Sequence, residues 1–179
     1  MINFSKNIAV IIAFRDFRDE EYFIPKQIIK KAGIKIVNVS NSLGKALGAE
    51  GGEVTVDVSL EKLKVDNFDG VVFIGGPGAL KYLDNEASYL IIKEVVSKNK
   101  LLAALCIAPV ILARAGVLKN KKATVWSSSL DKSAIRILKE NKVEYQEKSV
   151  VIEGRIITGS GPMAAKEFGE SVVRGLTNK

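Results

Sequence analysis

Apolar residues fall in short runs along this chain, separated by stretches with helical spacing. The first run, Ile8 to Ala13, is continuous and predicts a buried strand. Ile28 to Ala32 closes a helix, with Gly33 at the stop position. Ile34 to Ser40 predicts a second strand, and Glu53 to Ser59 alternates as a half-buried strand does. Between them "NSLGKALGAEGG" is polar and glycine-rich, which predicts a surface connection. Gly70 to Gly76 predicts a central strand ending in a glycine pair. Ala87 to Lys98 has helical period, Leu101 to Leu105 is another buried run, and Ala108 to Ala115 is helical with Gly116 beyond its end. A strand at Ala123 to Trp126 and a helix at Asp131 to Glu140 follow. "VEYQE", "VVIEG" and "RIITG" then predict short strands with a tight turn at Glu153-Gly154, and Met163 to Leu176 predicts the closing helix.

Strands alternating with helices argue for an α/β protein whose parallel sheet is covered on both faces. Ligands of such open sheets bind at the carboxyl ends of the strands. A chain of 179 residues is most simply one domain, 1–179, large enough for a full core. The first apolar run is too short to cross a bilayer and is followed at once by charge, so it predicts neither a signal peptide nor a membrane partner. The net charge is +7, but the lysines are dispersed, and the densest cluster, "LKNKKAT", lacks interleaved aromatics. That pattern predicts a solvated face and no nucleic-acid partner. One cysteine and no histidine exclude an internal disulfide and make a zinc site untenable, so no metal is expected and a reducing cytoplasmic setting fits.

The chemistry then rests on three segments. Cys106 falls where a buried strand gives way to a helix, with Ala104 and Ala108 on either side and Pro109 suited to the first helical turn. It reads equally well as a small core residue or as a nucleophile on a sharp turn, where a helix N-terminus would depress its pKa. Gly75-Gly76 and Pro77-Gly78 end the preceding strand and could bring backbone N–H groups close to a ligand. After the first strand, "RDFRDEEYFIP" offers Asp16, Asp19, Glu20 and Glu21, and the local pattern does not say which of them turns inward.

"AALCIAP", preceded by "VVFIGGPGALKYL", with "DEEYFIP" and "AGIKI" upstream and "TGSGPMAAKEFG" downstream, resembles the DJ-1/PfpI superfamily from Lys6 to Leu176. The resemblance implies a flavodoxin-like three-layer α/β sandwich with a mostly parallel central sheet and a nucleophile elbow. It also implies a homodimer or larger assembly, for which Tyr22, Phe23 and Ile24 are the apolar candidates. Cys106 matches the elbow cysteine and Glu21 the acid that hydrogen-bonds it; Gly76 and Ile107 match the backbone N–H donors of an oxyanion site. Gly75, Trp126, Ser160 and Pro162 are the remaining candidate pocket residues. The chain departs from relatives in three places. Ile107 replaces the histidine that follows the cysteine in PfpI-type proteases, Trp126 stands where some relatives carry another histidine, and Gly159-Ser160-Gly161-Pro162 lacks a pocket arginine.

Without histidine, peptide hydrolysis lacks the usual proton donor to the leaving amine. The resemblance therefore implies glutathione-independent glyoxalase or deglycase chemistry on small 2-oxoaldehydes such as methylglyoxal, with no cofactor. A redox sensor or chaperone acting through oxidation of Cys106 is the alternative.

Overall fold

The computed structural model describes residues 6–177, so the domain predicted over 1–179 extends at both ends beyond the described residues. The chain opens with β1 (Asn7–Ile12), a short β2 (Arg15–Phe17), α1 (Asp19–Lys31) and β3 (Lys35–Ser40). Three further short strands follow: β4 (Gly44–Gly48), β5 (Glu53–Val56) and β6 (Val58–Ser59). The central part comprises β7 (Gly70–Phe73), α2 (Ala79–Leu83), α3 (Glu86–Ser97), β8 (Leu101–Leu105) and α4 (Pro109–Arg114). Then come β9 (Lys122–Ala123), α5 (Ser133–Glu140), β10 (Glu144–Tyr145), β11 (Val150–Glu153), β12 (Ile156–Gly159) and α6 (Ala165–Thr177).

Seven strands form one sheet in the order β11-β12-β8-β7-β1-β3-β6, parallel throughout except for the β11–β12 hairpin. Side chains alternate across this sheet because successive Cβ atoms of a strand point to opposite faces. Ala9 and Ile11 of β1 pack on one face with Ile92 and Val95 of α3, Val110 of α4 and Leu138 of α5. Ile8, Val10 and Ile12 pack on the other with Ile29 of α1 and Phe168 and Val172 of α6. Burial on both faces explains why β1, β7 and β8 are continuous apolar runs. The result is the predicted three-layer, flavodoxin-like α/β sandwich. The helices α1 and α6 lie close together: a Cβ on Gly169 would stand 3.0 Å from the Cα of Pro25.

Four segments differ from their sequence expectation. "NSLGKALGAEGG" is not only a connection: Gly44–Gly48 is β4, paired antiparallel with β5 and parallel with β2 in a small separate sheet. The stretch Glu53 to Ser59 is two strands, because Asp57 turns a corner. Its carboxylate accepts from the Asn38 N–H at 2.7 Å and its own N–H donates to the Asn38 carbonyl at 2.9 Å, so Val58 pairs with the main sheet. β9 stops at Ala123 because the next N–H, of Thr124, donates to the Thr158 hydroxyl at 3.0 Å rather than to a neighbouring strand. The hairpin turn lies at Gly154-Arg155, one residue later than expected, with Gly154 at φ 62°.

The chain leaves β1 toward β3 on one side and reaches β7 on the other. The connections after β1 and β7 thus diverge, opening a crevice at the carboxyl ends of the strands, where β8 also ends.

Candidate active site

Cys106 follows directly on β8 and adopts φ 64°, a left-handed conformation costly for a residue with a side chain. The surroundings hold it there. Its N–H donates to the Gly159 carbonyl at the end of β12 (2.9 Å), and its carbonyl accepts from the Trp126 N–H (2.8 Å). α4 then begins with Pro109, so strand, strained residue and helix form the elbow that the sequence suggested. Cys106 is 7% exposed: buried, but lining a cavity.

The glycine pair is required by this packing. A Cβ on Gly75 would lie 2.6 Å from the Cys106 Cβ and 2.7 Å from Glu21 Oε2. Gly76 has φ 111°, and a Cβ there would collide with the backbone of residues 16–18. The Arg18 N–H donates to the Gly75 carbonyl (3.1 Å) and the Gly78 N–H to the Asp16 carbonyl (2.9 Å), tying the loops after β1 and β7 together.

Of the four candidate acids, Glu21 is the one beside the thiol, and it is fully buried. Asp19 is also buried, but its carboxylate accepts from the N–H groups of Glu50 (2.9 Å) and Gly52 (2.6 Å). Asp16 and Glu20 are exposed. Neither Glu21 oxygen completes a well-aligned hydrogen bond among the described residues; its polar neighbours are the Cys106 thiol and the Gly75 N–H. Burial pushes the Glu21 carboxyl up to about 7, against lowering by the thiol, the Arg18 charge and the Gly75 N–H.

The thiol is also pushed up, first by burial and then by the facing Glu21 carboxylate, while the N–H groups of Gly76 and Ile107 pull it down. With Glu21 ionised this direction is opposite to the depression expected from a helix N-terminus. α4 spans only six residues, and its field is outweighed by burial against a like charge. The upward push from Glu21 requires its ionised form; a proton on Glu21 converts the repulsion into a donated hydrogen bond.

The cavity over Cys106 measures about 290 Å³ and is lined by Arg18, Gly76, Pro77, Leu80, Cys106, Ile107, Trp126 and Pro162. Trp126 and Pro162 are among these lining residues, and Trp126 is half-buried. Gly75 lies behind the cavity, against Cys106 and Glu21. Ser160 lines an adjoining cavity of about 410 Å³ that shares Trp126 and Pro162 with the first, and its N–H donates to the Ser149 carbonyl (2.9 Å). The apolar patch expected at Tyr22, Phe23 and Ile24 is absent. Tyr22 is buried with its hydroxyl on Asn38 (2.7 Å), and only Ile24 is substantially exposed.

Arg18 was not foreseen. The signal was present: an arginine immediately precedes the acidic first turn of α1, at a position that favours small hydrogen-bond acceptors. Among the described residues no cluster of histidine, cysteine, aspartate or glutamate could hold a metal ion, and no helix is long and apolar enough to cross a membrane.

A doubly wound α/β sheet with a cysteine on the strand–helix elbow and a buried carboxyl group beside it defines an elbow-cysteine class of flavodoxin-like proteins. The chain belongs to the DJ-1/PfpI family, which it matches over residues 6–175. It is 26% identical over 171 residues to the glutathione-independent glyoxalase DJR-1.2 of Caenorhabditis elegans, covering 96% of this chain and 89% of that one. It is 30% identical over 154 residues to a deglycase of Thermococcus kodakarensis, covering 86% of this chain and 90% of that one. The crystal structure of a ThiJ/PfpI domain protein from Brachyspira murdochii superimposes with a TM-score of 0.90 at 30% identity, covering 98% of both chains.

Proposed function

We propose that this protein is a cysteine-dependent enzyme acting on small 2-oxoaldehydes such as methylglyoxal, without cofactor, in the manner named for its glyoxalase and deglycase relatives. The observation that carries the reading is a small cavity lined by Cys106, Gly76 and Ile107, with the buried Glu21 carboxyl set against the thiol and the Gly76 and Ile107 N–H groups facing its sulfur. Cys106, giving its proton to the Glu21 carboxylate, adds through sulfur to the aldehyde carbon. The hemithioacetal oxyanion accepts from the Gly76 and Ile107 N–H groups. Glu21 returns its proton to that oxyanion. Its carboxylate then takes the proton from the same carbon and delivers it to the neighbouring carbon, while the hydroxyl proton passes to the neighbouring carbonyl oxygen, converting the hemithioacetal to the lactate thioester. Water cleaves the thioester to lactate and restores the thiol. A carboxyl group titrating at about 7 suits both halves of such a transfer at neutral pH.

Lactate formation from methylglyoxal by the wild type and by Cys106→Ser tests the reading. Turnover lost in the variant is expected, and turnover at the wild-type rate in Cys106→Ser would refute it. The competing redox reading draws on the same thiol, with a carboxyl group and N–H donors placed to hold a sulfinate. A protein inert toward aldehydes that adds two oxygens at Cys106 under mild peroxide would put that reading first. The proposal also takes the chain as a homodimer, and a monomer by light scattering at micromolar concentration would overturn that part.

A further inference from the structure

We infer that Arg18 makes the Cys106 cavity selective for small carbonyl compounds that carry a carboxylate. The guanidinium would hold the carboxylate while the thiol meets the carbonyl. The inference deepens the proposed function and rests on it for the carbonyl half.

Arg18 is the one charged side chain among the described residues that line the cavity; Pro77, Leu80, Ile107, Trp126 and Pro162 make the rest of the side-chain wall largely apolar. Its Nη1 is paired with Glu50 at 2.6 Å, which orients the planar fork, while its Nε is buried and has no partner among the described residues. A guanidinium carries five N–H donors, so pairing with one carboxylate leaves others to offer. Glu21, the acid that would repel an anion, is not among the lining residues.

Arg18 also breaks two local rules. It occupies the N-cap of α1 without making a capping hydrogen bond, and it places a cation at the positive end of the helix dipole. Its backbone is fixed by the hydrogen bond to Gly75 and by contact with Gly76, so the side chain starts from the cavity rim. Local rules broken at a cavity beside a candidate nucleophile point to a binding role.

Iodoacetate and iodoacetamide test this directly, because they differ only in carboxylate against amide and both alkylate a thiolate by displacing iodide. The rate ratio of iodoacetate to iodoacetamide at Cys106, followed by mass spectrometry, should fall about fivefold or more in Arg18→Gln. Arg18→Lys, which keeps the charge, should recover most of it. A ratio unchanged in Arg18→Gln overturns the inference even if both rates shift together, since a common shift reports only on thiol ionisation. The wild type supplies a second measurement that no folding defect can obscure. Propionate should protect Cys106 from iodoacetamide, and propionamide at the same concentration should not; equal protection, or none by propionate, overturns the inference. Neither measurement needs turnover. Charge selectivity without turnover of either methylglyoxal or a carboxylate-bearing aldehyde such as glyoxylate would therefore sink the proposed enzyme and leave the anion site, and the converse would sink only the anion site.

Discussion

Asp19 and Glu21 both lie in the first turn of α1 and both are buried, yet their surroundings are opposite. Residues i and i+2 of a helix are about 200° apart around its axis, so the two side chains leave on different sides. Asp19 meets the glycine-rich turn after β4, where the N–H groups of Glu50 and Gly52 satisfy it. Gly48 and Gly52 are bare because any Cβ would strike its carboxylate. Glu21 meets a thiol and a glycine turn and is left without a well-aligned partner. A satisfied buried carboxylate organises backbone, while an unsatisfied one holds a proton near neutrality and is available for chemistry.

The sharpest way to break this contrast is Glu21→Gln, whose amide cannot shuttle a proton. Methylglyoxal turnover should drop about 10²–10⁴-fold with the fold intact, as circular dichroism would check. Turnover at the wild-type rate would remove Glu21 from the mechanism.

The same variant should alter stability in a direction set by the raised pKa. Folded Glu21 titrates at about 7 against 4.5 for the ordinary group. Between those values the folded state holds a proton that the unfolded chain has released. Stability is therefore greatest below 4.5, falls as pH rises toward 7, and levels off above it. Glu21→Gln should remove this slope, so urea denaturation at pH 8 should find it more stable than wild type by up to about 3 kcal/mol. At pH 4 the two should differ little from this cause. Greater loss of stability at pH 8 than at pH 4 would contradict the assignment.

Asp19→Ala should do the reverse, costing roughly 1.5–3 kcal/mol because two part-buried N–H groups lose their carboxylate acceptor. Turnover per folded molecule should stay within a few-fold of wild type. A severe loss of turnover in a folded Asp19→Ala protein would erase the distinction between the two acids.

The smallest effect is expected at Trp126, which bounds the cavity. Trp126→Ala should favour larger aldehydes over methylglyoxal by a few-fold, about 1 kcal/mol in relative kcat/KM. An unchanged ratio would mean that the wall does not select.

How far the sequence could be read follows from where each signal resides. β1, β7 and β8 were legible because strands buried on both faces must be continuously apolar. The elbow was legible because Ala104, Cys106 and Ala108 place small residues around a strand–helix junction. β4 was not, since Gly48 answers to the distant Asp19 carboxylate and Gly44 to a left-handed backbone beside Phe14, and together they imitate an ordinary loop. The division of Glu53 to Ser59 depends on Asn38, far away in sequence, and the early end of β9 on Thr158. Local pattern could not choose among four neighbouring acids, because the rotation of α1 decides which one reaches the thiol; family resemblance made that choice. Arg18 was not legible because, among the many charges of "RDFRDEEYFIP", an arginine reads as part of a solvated helix start, and only the fold brings it to the cavity.

The wall at Trp126 has one further consequence. It is the only tryptophan in a chain that also has a single cysteine, and both line the same cavity. Indole fluorescence from the whole molecule therefore originates beside the thiol. Its emission maximum and lifetime should follow oxidation of Cys106, adduct formation and ligand occupancy without any label, giving the protein a built-in optical gauge of its own chemistry.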